Sequence, residues 1–243
     1  MKKLIRDAME ARRKLSILIL RKRVPPLFTI ISEDCWGGQL YRQLHIRYST
    51  PTVGLMVSPA TYLQFLECFH SRVCPELKFI PTKENYPVAE YGDSILAFMH
   101  YTSIAEAEEK FLKRRQRVCW DRILTKIDFG KPGYSLADID RWNSLRLANS
   151  VAFYSHDTEI PAEGVHSGIL VPDWVLDGAA MFDVSRRYFD VFYWVRTGNL
   201  RISLLYSIMN CVLFDPTSPH RLAMSVKAWL RRWILFVSVK NTN

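Results

Sequence analysis

The chain has 243 residues, 49% apolar and 23% charged, with no repeat or low-complexity segment, so one sizeable core in one domain is the expectation. Five cysteines (35, 68, 74, 119 and 211), an odd number without C-x-x-C spacing, argue against a disulfide framework and a structural zinc site and point to a reducing cytoplasm. The net charge of +9 is unevenly placed: residues 1–23 carry +7, residues 221–243 carry +5 and the stretch between them −3, which argues against a nucleic-acid-binding face on the body.

Residues 3–22 predict a helix of good formers that Pro25-Pro26 end. Its apolar run, Leu15 to Leu20, is far short of the ~20 residues that span a bilayer. Arg12-Arg13-Lys14 interrupt any signal-peptide core, and Arg21-Lys22-Arg23 stand where a small-residue cleavage site belongs. Leu27 to Ile31 then predict a buried strand that stops at Ser32-Glu33-Asp34, and Gly37-Gly38 open a helix from Gln39 to Leu44. A strand, a small-residue turn and a helix is the geometry in which α/β proteins place ligands. Amides at the helix start favour anions, and glycine lets a ligand approach the backbone. The alternative is a turn that needs its two glycines for backbone angles alone.

Val53–Val57 predicts a strand, and Ser58-Pro59 opens a helix to about Ser71. Leu77–Ile80, Tyr86–Tyr91 and Ser94–His100 are further strands. Ser103-x-x-Glu106 is a capping box for a helix from Ile104 to about Val118. Strand Ile123–Phe129, a Ser135-capped helix to about Leu145, strands Val151–Tyr154 and Val165–Val171, and a helix over Arg186–Arg196 closed by Gly198 follow. Leu200–Phe214 reads as a buried apolar helix, and Ser218-Pro219 opens a last helix carrying Trp229 and Trp233 beside Arg231 and Arg232. The interleaving predicts an α/β fold, a three-layer sandwich with a largely parallel sheet. Basic amphipathic helices (1–26 and, after an apolar stretch, within 198–243) flank a body of residues 27–197.

Cys35 falls at a strand end, where a helix N-terminus lowers a thiol pKa, and His100, ending another strand, is the available base. Parallel strands would put both at one sheet edge, with Tyr101 beside them. The bland alternatives are a small apolar filler for Cys35 and a carbonyl-bonded imidazole for His100. Arg114 and Arg117, three apart on one helix face, suit a diphosphate or simply complement the helix C-terminus. Asp138-Ile139-Asp140 has the D-x-D form of a metal site, but inside a helix those side chains point apart. No metal and no cofactor is assigned.

Ile31-Ser32-x-x-Cys35-Trp36-Gly37-Gly38-x-x-Tyr41, followed by Tyr48-Ser49-x-Pro51-x-Val53-Gly54-Leu55, resembles the opening signature of a bacterial family catalogued as domain of unknown function 1919. Its members often carry the label exopolysaccharide (capsule) biosynthesis protein. Similarity continues through Tyr86-Pro87-Val88, Gly92-Asp93, His100-Tyr101-x-Ser103-x-x-Glu106-Ala107 and Arg114-Arg115-x-x-Arg117, with a weaker echo at Arg187-Tyr188-Phe189-Asp190. Where relatives mostly carry Asn-Asn before the Cys, this chain has Glu33-Asp34. The resemblance implies surface-glycan assembly without supplying a reaction. The expectation is a transferase acting on a nucleotide sugar or lipid-diphosphate-linked glycan. Gly37 and Gly38 would admit phosphates, Arg114 and Arg117 would neutralise them, and His100 would be the base. Asp34, Trp36, Tyr41, Ser49 and Tyr101 complete the expected substrate site. A Cys35–His100 acyltransferase or hydrolase and a non-catalytic assembly partner are the alternatives. The basic, Trp-bearing ends predict peripheral binding to an anionic membrane, on its cytoplasmic face, and no nucleic acid.

Overall fold

The computed structural model describes residues 2–73, 75–202 and 205. The expected helix from Ser218, with Trp229 and Trp233, and nearly all of the stretch 200–214 lie outside the described residues. In chain order the elements are α1 (Lys2–Arg21), β1 (Thr29–Ser32), α2 (Trp36–Leu44), β2 (Met56–Val57), α3 (Pro59–His70), β3 (Leu77–Ile80), β4 (Val88–Tyr91) and β5 (Ser94–Ala97). There follow α4 (Ile104–Arg115), β6 (Ile123–Asp128), α5 (Leu136–Leu145), β7 (Ser150–Tyr154), β8 (Gly168–Leu170), α6 (Gly178–Ser185) and α7 (Val191–Thr197).

Side-chain caps set several of these boundaries. Ser103 Oγ accepts from the Glu106 N–H at the start of α4, and Ser135 and Asp138 form a reciprocal box at the start of α5. Asp138 is thereby a capping group. The helix expected over 186–196 is shortened to α7, because the Asp190 carboxylate accepts from the Phe192 and Tyr193 amides and starts the helix there. Helix α6, capped by Asp177, has no counterpart in the sequence reading.

The fold is mixed α/β with two four-stranded sheets. One has the order β1-β6-β7-β8, with β1–β6, β6–β7 and β7–β8 all parallel. The other, β2-β5-β4-β3, is antiparallel throughout. A single largely parallel sheet is thus corrected to one parallel and one antiparallel sheet. The cause is local: only Gly92-Asp93 separates β4 from β5, and Gly92 has φ +59°. A two-residue connection with a left-handed glycine makes a hairpin, and parallel neighbours need a far longer crossover.

Both faces of the parallel sheet are buried. Ile30, Leu124, Val151, Phe153 and Ile169 join one core with Trp36, Phe182 and Trp194, while Ile31, Ile127 and Ala152 join another with Tyr62, Phe65 and Leu96. The period-two alternation of each strand divides its residues between these cores. The sheets meet at the end of β1, where the Val57 N–H donates to Glu33 O at 2.8 Å. The His100 N–H donates to Gly54 O at 3.1 Å, which brings the chain beyond β5 to the same place.

Helix α1 docks by its C-terminal end. Leu20 is buried, and Arg21 donates to Leu44 O and His45 O, both at 2.6 Å, closing the end of α2. Leu15, Leu18 and Ile19 face solvent. No helix among the described residues is long and apolar enough to cross a membrane.

Candidate functional site

The turn from β1 into α2 lies at the C-terminal edge of the parallel sheet, where open α/β sheets bind ligands. Its first helical amides already have partners. Asp34 Oδ1 accepts from the Trp36 N–H at 2.9 Å, and Ser32 Oγ accepts from the Gly37 N–H at 3.0 Å. The anion site expected at these amides is therefore filled by side chains of the chain itself. The glycines differ. A Cβ on Gly37 would lie 2.7 Å from Ser32 Oγ and 3.0 Å from Ile30 Cγ2, so Gly37 serves close helix–strand packing. A Cβ on Gly38 would meet only Val53, at 3.5 Å, and this half-buried position borders open space.

On its inward side the turn carries a buried charge cluster. Lys126 Nζ lies 3.0 Å from Glu33 Oε1, 3.4 Å from Asp34 Oδ2 and 3.7 Å from Asp128 Oδ2. Lys131 Nζ pairs with Asp34 Oδ2 at 2.5 Å. Asp128 Oδ1 accepts from the Gly130 N–H and Trp174 Nε1. Burial holds Glu33 and Asp128 above the usual carboxylate range despite the lysines. Burial pushes Asp34 the same way, but Lys126, Lys131 and the Trp36 amide bring it down to about 2. Burial opposes the charge on Lys126, and the three carboxylates outweigh it and raise its pKa. Glu33, Asp34 and Asp128 each offer an oxygen within a 4.8 Å group, the spacing of a cation site. The Lys126 ammonium occupies the position such a cation would take, so the cluster carries its own counter-ion.

On its outward side the same turn presents Cys35, whose Sγ lies 3.2 Å from His100 Nε2. The expected route to this pair is corrected. His100 follows β5 of the antiparallel sheet, and the β2–β5 pairing delivers it to Cys35. The thiol is pushed up by burial and by the Asp34 and Asp177 carboxylates, in opposition to the lowered pKa expected at a helix start. A resting thiol beside an exposed imidazole is suited to proton removal as an electrophile arrives. Cys35 and His100 line two clefts at once. One, of about 260 Å³, is bordered by Gly38, Arg42, Tyr48, Lys110 and Arg114. The other, of about 640 Å³, is walled mainly by Leu55, Met56, Pro59, Met99 and Leu176, and Asp34, Lys131 and Asp177 also line it.

Several expected site residues lie elsewhere. Trp36 is wholly buried against Phe153, Phe182 and Trp194, and its Nε1 donates to Ser185 Oγ. Tyr41 Oη accepts from the Ile30 N–H and donates to Phe28 O, and Ser49 Oγ also donates to Phe28 O. All three side chains therefore have structural surroundings. Asp34 is mostly turned into the lysines. Tyr101 Oη donates to Val53 O at 2.6 Å. Arg114 donates to Val53 O and to Tyr101 Oη, and its guanidinium covers the Tyr48 ring. Arg117 donates to Tyr48 O at 2.9 Å. The two arginines therefore fasten the 48–53 segment. Arg114 also borders the smaller cleft, whereas Arg117 does not.

Sequence reasoning missed Lys126, Asp128 and Lys131. Their signal was present in part: Lys126 and Asp128 share one face of a strand with no other charge, where burial requires a partner. Arg42 and Lys110, on separate helices, carried no such signal.

Residues 6–174 match the family model described as Domain of unknown function (DUF1919). An uncharacterized protein of Haemophilus influenzae is 30% identical over 151 residues, covering 61% of this chain and 73% of that relative. The matched span runs from α1 past β8 and includes the Cys35–His100 pair and every member of the buried charge cluster. The chain belongs to the DUF1919 family.

Proposed function

We propose that this chain is a cysteine-dependent acyl-group transferase or hydrolase of surface-polysaccharide biosynthesis, with a glycan as acyl acceptor. The observation that carries the reading is the 3.2 Å approach of Cys35 Sγ to His100 Nε2 at the junction of two clefts. Cys35 Sγ attacks the acyl carbon while His100 takes the thiol proton and passes it to the leaving group. An acceptor hydroxyl, or water in the hydrolytic case, then attacks the acyl-Cys35, gives its proton to His100 and releases the thiol. The resemblance to proteins labelled for exopolysaccharide synthesis supports the glycan acceptor, lipid-diphosphate-linked or nucleotide-bound. In this reading the parallel sheet is the middle layer of a three-layer sandwich. Helix α1, with Leu15, Leu18 and Ile19 exposed beside Arg12, Arg13 and Lys14, rests peripherally on the anionic inner leaflet of the cytoplasmic membrane.

A second reading is transfer of a sugar from a nucleotide donor, with His100 as base. The cations Arg42, Lys110 and Arg114 around Gly38 favour it. Incubating the full chain with p-nitrophenyl acetate and measuring intact mass separates the two. Acyl transfer predicts an acetyl group on Cys35, absent in Cys35→Ser and strongly reduced in His100→Gln. An unmodified Cys35 in the folded protein contradicts acyl transfer and leaves the sugar-transfer reading.

A further inference from the structure

We propose that the acyl donor is a thioester with an apolar chain of more than two carbons and a phosphate-bearing thiol arm. This deepens the acyl-transfer reading and rests on it. Cys35 and His100 line both clefts, so a group bonded to Sγ has one compartment on either side. The 640 Å³ cleft offers Leu55, Met56, Pro59, Met99 and Leu176, and Leu176 and Met99 are themselves exposed at 59% and 47%. Such a wall gains by covering a hydrocarbon chain. The 260 Å³ cleft offers instead Arg42 and Lys110, both exposed, and the Arg114 guanidinium between Tyr48 and Tyr101. Lys110 Nζ pairs with Glu106 Oε1 at 2.5 Å, but among the described residues no acidic side chain lines the cleft itself, so Arg42 and Arg114 lead a lining suited to a phosphate.

A thioester fits this division because the acyl bond exchanges sulfur for sulfur, without an uphill step to acyl-Cys35. Sγ forms a bond to the carbonyl carbon, the carbon–sulfur bond to the donor arm breaks, and His100 returns the Cys35 proton to the departing thiolate. The chain stays in the apolar cleft while the arm leaves through the basic one. The acceptor hydroxyl then takes the acyl group, and its proton passes through His100 to Sγ.

The test follows acyl-Cys35 by intact mass in the full chain with three donors. These are octanoyl-coenzyme A, acetyl-coenzyme A and the octanoyl thioester of N-acetylcysteamine, which lacks phosphate. Octanoyl-coenzyme A should label Cys35 at least tenfold faster than acetyl-coenzyme A, because each buried methylene is worth roughly fourfold. It should also label at least tenfold faster than the phosphate-free octanoyl thioester, because only the coenzyme A donor brings a phosphate to the cationic cleft. Leu176→Arg should abolish the chain-length preference while acetyl labelling persists. Arg42→Glu with Lys110→Glu should abolish the preference for the phosphate-bearing donor while labelling by the phosphate-free thioester persists. Equal labelling by all three donors overturns the proposal and leaves acyl transfer standing. So does labelling by p-nitrophenyl acetate but by no thioester. Failure of every donor, p-nitrophenyl acetate included, overturns both.

Discussion

Glu33 and Asp34 differ from Cys35, their neighbour in one turn, in almost every physical respect. The two acids point inward, are buried, and meet two lysines. Cys35 points outward to an exposed imidazole where two clefts join. An acidic pair after a strand looks from sequence like a ligand site, yet its charge is neutralised within the fold. The group left facing open space is the thiol. Charge density at a sheet edge is therefore a poor guide to function until its partners have been counted. The inward half should register in stability and the outward half in reactivity, so substitutions can separate them.

The largest expected effect is on the inward half. Lys126→Met removes the ammonium shared by three buried carboxyls and should destabilise the fold by about 3–5 kcal/mol. Denaturant unfolding measures it. A loss under about 1 kcal/mol would mean that the carboxyls relax toward water and the cluster is not rigid.

The glycine pair gives a smaller, internal contrast. Gly37→Ala forces a methyl against Ser32 and Ile30 and should cost about 1–3 kcal/mol. Gly38→Ala meets only ordinary contact with Val53 and should be neutral or stabilising by up to about 1 kcal/mol. Equal losses at the two positions would break the distinction between a packing glycine and a cleft-side glycine.

The smallest effect lies in the pH dependence of stability. Burial raises the native pKa of Glu33 and Asp128, so the folded chain retains protons that the unfolded chain releases above about pH 4. Their effect is a loss of stability as pH rises from there through the raised native values. Asp34, held at about 2, acts oppositely: its contribution is complete above about pH 4 and disappears as pH falls toward 2. Glu33→Gln should flatten the neutral-side decline and preserve the acid-side loss, read from urea midpoints across the range. An unchanged neutral-side slope would place the retained proton elsewhere.

Much of the fold was legible because its signals are local. The β1 run, the Ser103 and Ser135 caps and the glycine closing α7 each act within a few residues. The antiparallel sheet was legible in principle, since Gly92-Asp93 is a two-residue hairpin connection. Reading β5 as another parallel strand concealed it. The late start of α7 after Asp190 was missed because an N-cap inside an apolar run resembles one more polar residue on a helix face. At the site, Cys35 and His100 could be named from the turn and the strand end. Their approach depends on β2–β5 pairing within the antiparallel sheet and on that sheet's junction with the end of β1, long-range facts with no local trace. Trp36 and Tyr41 follow Cys35 closely in sequence, yet the helix turns both into the core, which a short motif does not reveal.

The central claim is that His100 makes Cys35 reactive, and the pH profile of Cys35 alkylation by iodoacetamide tests it most directly. Burial and the Asp34 and Asp177 carboxylates raise the thiol's own pKa, so without help it should react appreciably only above the ordinary cysteine value of about 8.5. The account predicts ready modification of Cys35 near neutral pH in the intact protein. In His100→Gln the profile should move to more alkaline pH, with Cys68 and Cys119 unchanged as internal references. Superimposable Cys35 profiles in the two proteins would contradict it.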